Sequence, residues 1–205
     1  IYNCICVMSD QLVSKAGTIT SGDDRFMEWK TKDGNKETTA LADFTTFFEG
    51  IFQKERLLDI IKNFICFNNE GLKSYKILAG YHQYFAVRKA IVRTEQAVQG
   101  DGKIGVFWHT QGSGKSLSMV FYAHLLQSTI ESPTIVVITD RNDLDNQLYT
   151  QFANCKDFLR QVPQQAESRE HLKSLLNGRK ANGIIFTTMQ KFEESNEPLS
   201  DRRNI

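Results

Sequence analysis

The residues best equipped for chemistry lie in one stretch, Ile104-Gly105-Val106-Phe107-Trp108-His109-Thr110-Gln111-Gly112-Ser113-Gly114-Lys115-Ser116. An apolar run leads into a loop with two glycines, and Lys-Ser then opens a helical pattern. Each part answers a requirement of phosphate binding. Gly112 and Gly114 let the backbone curl so that successive N–H groups converge on phosphate oxygens, where a Cβ would obstruct them or forbid the dihedrals. A helix beginning near Lys115 adds the positive end of its dipole, and the Lys115 ammonium reaches the β and γ phosphates. Ser116 is placed to hold Mg2+. The cradle therefore comprises His109, Thr110, Gln111, Gly112, Ser113, Gly114, Lys115 and Ser116, with a nucleoside triphosphate as its ligand. His109 stands where the pattern GxxxxGK[ST] has its first glycine, so the chain must enter the loop without that freedom.

The elements needed to position such a loop are legible around it. Three short β-rich runs, Ile104 to Trp108, Thr134 to Thr139 and Ile184 to Thr188, are each followed by helical periodicity and lie too far apart for hairpins. That spacing predicts a parallel sheet with crossover helices, an α/β nucleotide-binding layout. One crossover helix carries Leu144, Leu148 and Phe152; another carries Leu172, Leu175 and Leu176 and ends at Gly178. Upstream, Tyr84, Val87, Ile91 and Val98 form one stripe of a helix over 81–98. Two further helices are expected from Leu41 to Phe52 and from Leu57 to Ile65. The runs 2–8, 17–20 and 26–29 read as strands of a β-rich module, separated from the helices by the polar stretch 32–37.

Composition narrows the class. The chain has 205 residues, 40% of them hydrophobic, enough for one large domain or two small ones. With 25 basic against 24 acidic residues the net charge is +1, so any contact with nucleic acid must be local. No apolar run approaches the ~20 residues needed to cross a bilayer, and the N-terminus lacks a signal peptide, which gives a cytoplasmic expectation with no membrane partner. Cys4, Cys6, Cys66 and Cys155 show neither CxxC pairs nor disulfide density and read as reduced structural residues; Cys4 and Cys6 would share one strand face.

The stretch from Trp108 to Met119 resembles motif I of the restriction (R) subunit of type I restriction-modification enzymes, a family in which His commonly occupies the first loop position. Val136 to Leu148, with Thr139-Asp140-Arg141, is similar to the family's next helicase motif, which touches the DNA backbone, and Phe186 to Phe192 resembles the one after it. Val7 to Asp10 and Arg25 to Lys30 look like the end of the family's nuclease domain, so the likeness spans almost the whole chain.

The resemblance implies a RecA-like P-loop motor domain with a parallel sheet, preceded by the C-terminal part of an α/β nuclease-type domain. The expected division is 1–36 as that nuclease portion, 37–80 as a helical connector and 81–205 as the first part of the motor. It implies an ATP-dependent type I site-specific deoxyribonuclease that uses ATP and Mg2+, translocates double-stranded DNA and assembles with methyltransferase and specificity subunits. Thr139, Asp140, Arg141, Thr187, Thr188 and Gln190 fall just after or at the ends of strands, where open α/β sheets place ligand contacts. Their hydroxyls, amide and guanidinium suit phosphates rather than bases. Gln83, just upstream, would recognise adenine, as a Gln so placed does in related helicases. His82 is read as a surface or packing residue.

Asp24 with Glu28-Trp29-Lys30 imitates the D...ExK pattern of metal-dependent nucleases, but the spacing is short and the resemblance puts the nuclease carboxylates upstream of Ile1. A Walker B carboxylate is expected beyond Ile205, and the 205 residues alone are expected to bind ATP without turning it over. Two other readings remain: a superfamily 2 helicase or remodelling ATPase without nuclease activity, or a non-motor P-loop module.

Overall fold

The computed structural model describes residues 3–10, 12–39, 43–140, 142–178, 181–192, 198–202 and 204–205, with the backbone alone for 142–144 and 192. Leu41, expected in a helix, and Arg141, expected at a phosphate contact, lie outside the described residues. The chain folds as two compact units, 1–122 and 123–205.

In the first unit, strands β1 (Cys6–Ser9) and β2 (Ser14–Gly17) form an antiparallel pair, and Met27 bridges to Ala16. Helices α1 (Phe44–Ile51) and α2 (Lys54–Asn63) follow, each begun by a side-chain cap: Asp43 accepts from Thr46 N at 2.8 Å and Gln53 from Arg56 N at 2.7 Å. The sequence predicts helix as far as Ile65 and nothing regular before Tyr81. Instead β3 (Ile65–Glu70) and β4 (Lys73–Leu78) make an antiparallel hairpin turning at Gly71, whose φ of 58° suits glycine. The hairpin is tied to the loop after β2, since Thr18 Oγ1 donates to Lys76 O at 2.6 Å and Lys76 N donates to Thr20 Oγ1 at 2.7 Å.

Helix α3 (Tyr81–Val98) matches the span its apolar stripe predicts, burying Tyr84, Val87 and Ile91, although Val98 at its last turn is exposed. Its first turn packs on Trp29, whose ring lies 5.8 Å from Tyr84 and 6.0 Å from Phe85. Gly50 makes room for that indole, because a Cβ there would fall 2.3 Å from Trp29 Cδ1.

Helix α4 (Lys115–Thr129) begins in the first unit and ends in the second. The second unit holds β5 (Ile135–Thr139), α5 (Asn142–Asn154), α6 (Lys156–Leu159), β6 (Gln164–Gln165), α7 (Arg169–Asn177) and β7 (Ile184–Thr188). The sheet runs β5-β7-β6, all parallel, with Ile135 opposite Ile184 and Thr139 opposite Thr188. Its core joins Ile185 and Ala166 to Leu172 and Leu176 of α7, the leucines whose spacing predicts that helix. The chain is thus mixed α/β with a parallel three-stranded sheet.

The run Ile104 to Trp108 corrects the expectation of a buried strand. It pairs with no strand among the described residues, Gly105 has φ 116°, and Val106 and Trp108 are 96% and 78% exposed. A strand exists only through its ladder, so an apolar run without a neighbour stays irregular. Cys4 falls outside β1, so the shared-strand argument for Cys4 and Cys6 lapses; none of the four cysteines is in a disulfide. No helix among the described residues is long and apolar enough to cross a membrane.

Candidate functional site

The glycine loop is built as its sequence demands. Gly112 has φ 80° and Gly114 φ 78°, the left-handed region that other residues rarely enter. Of the backbone N–H groups from 110 to 114, that of Ser113 donates to Thr110 O at 3.3 Å, while those of Gln111, Gly112 and Gly114 meet no acceptor among the described residues. Gln111 and Gly112 are exposed, and a Cβ at Gly112 would meet nothing within 4 Å. The Lys115 ammonium folds over the loop, donating to His109 O and Thr110 O at 2.9 Å each, and Ser116 is exposed at the next position. Open N–H donors, a cation at the rim and a free hydroxyl on the first turn of α4 form a set that suits a phosphate chain and its Mg2+.

The loop is held from behind by the start of α3. Gln83 is 4% exposed; its Oε1 accepts from Gly80 N at 2.9 Å and its Nε2 donates to Gly114 O at 2.9 Å. Each of its two polar atoms meets one backbone partner, and the carboxamide expected to read adenine keeps one further lone pair and one further N–H. It works as a strut between two glycines. His82, read from sequence as surface or packing, has Nε2 3.0 Å from Ser113 O. No spacing rule points to these two links, since 31 residues separate each side chain from the carbonyl it meets.

His109, in place of a first glycine, lies between aromatic rings, 4.5 Å from Phe107 and 5.2 Å from His82 by ring centroid. Its Nδ1 is buried with no hydrogen-bond partner. Burial first, then His82 and Lys115, lower its pKa below the ordinary 6.5 and so favour the neutral ring.

In the second unit the strand ends are arranged differently. Thr139 Oγ1 lies 3.1 Å from Asp145 Oδ1 and 3.4 Å from Thr187 O, and Gln190 Nε2 donates to Asp140 O at 2.9 Å. Asp145, 1% exposed and missed in the sequence, also accepts from Gln165 Nε2. Asp140 and Gln190 are exposed, and Thr139 is half-buried. Thr187 and Thr188 are 0% and 2% exposed, which corrects the expectation that both present hydroxyls to a ligand: they lie within the sheet's covered end.

Glu28 and Lys30, the nuclease-like pair, bond to each other at 3.2 Å beside a cavity of about 270 Å3 that Trp29, Asp43 and Phe47 also line. No group of three or more His, Cys, Asp or Glu placed to hold a metal occurs among the described residues.

With this geometry the comparisons with known proteins agree. The family model of the SWI2/SNF2 ATPases matches residues 82–205, and the chain belongs to that family of P-loop ATPases. More particularly, its relatives are named as endonuclease subunits of type I restriction enzymes. It is 43% identical to the HindI endonuclease subunit of Haemophilus influenzae, over all of this chain and 20% of that protein. A putative MjaIXP endonuclease subunit of Methanocaldococcus jannaschii is 33% identical over all of the chain and 21% of its own length. The C-terminal part of a putative MpnIIP endonuclease subunit from Mycoplasma pneumoniae is 29% identical over 87% of the chain and 83% of its length. The chain thus spans about one fifth of the first two relatives.

Proposed function

We propose that this chain is the ATP-binding part of the motor and endonuclease subunit of a type I restriction enzyme. The observation that carries the reading is the loop from Thr110 to Ser116, with two glycines at positive φ, unpaired N–H donors and the Lys115 ammonium at the rim. Gly112, Ser113, Gly114 and Lys115 hold the phosphates of ATP, Thr110, Gln111 and His109 close the entry, and Ser116 holds Mg2+, which when bound offsets phosphate charge. Lys115 leaves the carbonyls of His109 and Thr110 for the phosphates, and Gln83 keeps the Gly114 peptide in place as it does so.

In the whole protein, ATP hydrolysis drives translocation of double-stranded DNA, and cleavage follows at a remote site, in a complex with methyltransferase and specificity subunits in the cytoplasm. Gln190, Thr139 and the backbone of Asp140, with Arg141, grip the DNA backbone, while Thr187 and Thr188 shape the strand end beneath them. Residues 1–36 are assigned to the nuclease-type domain, 37–80 to a connector and 81–205 to the motor. The relatives named as restriction subunits support this over a remodelling ATPase, because their likeness covers the whole chain whereas the ATPase family model begins at 82. Replacing Lys115 by Ala in the full-length protein is expected to abolish DNA-stimulated ATP hydrolysis with the fold intact by circular dichroism; near-normal turnover would refute the assignment.

A further inference from the structure

Three basic side chains from three segments meet at the loop. His82 comes from α3, His109 from the loop entry and Lys115 from the start of α4. The two imidazoles lie edge to face at 5.2 Å, and His82 reaches Ser113 O at 3.0 Å. Phe107, against the other flank of His109, carries no charge. None of the ion pairs among the described residues includes any of the three. A carboxylate, Glu37, is linked to His82 through Tyr81, whose hydroxyl donates to Glu37 at 2.9 Å and stays protonated, burial having raised its pKa to about 12.

We propose that His82 and His109 form a proton-accepting pair, and that phosphates entering the loop draw a proton onto it, so that the cradle gains positive charge as its ligand arrives. This rests on the phosphate-binding reading of the loop. Unless an anion is bound, a second cation beside Lys115 has no counter-charge among the described residues, and His109 Nδ1 has no acceptor among them for the hydrogen that protonation would add or fix there. Both conditions disfavour the charged ring, in the direction that burial and the neighbouring His82 and Lys115 move it. A phosphate chain supplies anionic acceptors and reverses the sign. The proton comes from solvent onto a ring nitrogen, and no other bond changes.

The linkage has a definite sign. Burial, His82 and Lys115 hold His109 below 6.5 and bound phosphates oppose that shift, so the bound state carries more protons across a window near that value. Affinity must therefore tighten as pH falls through the window. Uptake of half a proton corresponds to roughly threefold per pH unit. The sequence pattern treats His109 only as a departure from glycine; the geometry gives the departure a use.

The experiment is calorimetric titration of the full-length protein with Mg2+-complexed ADP, near pH 7, in non-phosphate buffers of low and high ionisation enthalpy. The wild type is expected to show a buffer-dependent heat corresponding to net proton uptake, with Kd tightening severalfold between about pH 8 and 6. The proton uptake per mole of ADP bound is expected to fall in His109→Gln and in His82→Gln, and to vanish in the double variant. Binding by the wild type without buffer dependence overturns the pair and leaves the phosphate loop standing. Uptake that persists in the double variant overturns it equally, and absence of ADP binding by the wild type overturns the loop and the pair together.

Discussion

The glycine loop of the first unit and the strand ends of the second are both rich in small polar residues, yet they are built in opposite ways. The loop keeps its donors outside and its supports inside: Gln111, Gly112 and Ser116 face solvent while Gln83 is buried behind them. The strand ends keep much of their polarity inside, with Thr187, Thr188 and Asp145 covered while Asp140 and Gln190 are exposed. Residue type alone does not separate a ligand contact from a support. What separates them is whether the polar atom has already found a protein partner and whether solvent reaches it.

The contrast is open to attack at several points. The largest effect is expected at Gly114. Alanine there must hold φ near 78°, and its Cβ would fall 2.6 Å from Gln83 Nε2, so the loop loses its shape at a cost of about 1–3 kcal/mol. Nucleotide affinity in the full-length protein should fall by more than about tenfold; unchanged affinity would show that the curled backbone is not what binds. Gln83→Ala removes the strut without touching the exposed donors. The expected loss of nucleotide affinity is smaller, roughly threefold to tenfold, from one buried hydrogen bond, and equal loss for ATP and GTP separates a strut from an adenine reader.

A severalfold rise in the DNA concentration for half-maximal ATPase, with unchanged ATP KM, is expected for Gln190→Ala; a changed ATP KM alone would break the division of labour between the two regions. The smallest effect is expected at Thr187, whose buried Oγ1 has no hydrogen-bond partner. Valine removes an unsatisfied polar atom and keeps the shape, so stability should hold or rise by about 1 kcal/mol in a denaturant titration. Weakened DNA stimulation there would restore the direct contact that burial argues against.

Local rules make much of this legible from sequence. The glycine pair announces its own backbone conformation, and the stripe Tyr84, Val87, Ile91 defines α3, because both are properties of a short segment. The hairpin β3–β4 is hidden for a physical reason: Cys66 and Asn68 are buried on one face while Lys76, paired with Phe67, is buried on the other, so neither face reads as cleanly apolar and the usual alternation is blurred. The run Ile104 to Trp108 misleads because strand propensity says what a segment does when a partner is present, and only tertiary context says whether one is. The links from His82 and Gln83 to the loop, and the role of Asp145, leave no pattern in the chain. They arise where distant segments meet.

The most direct test compares ADP with adenosine, each titrated into the full-length protein in the presence of Mg2+. If the loop grips phosphates, ADP should bind at least about tenfold more tightly than adenosine, and Lys115→Ala should erase most of that difference. Equal affinity for the two ligands, or an ADP advantage that survives Lys115→Ala, would contradict the account.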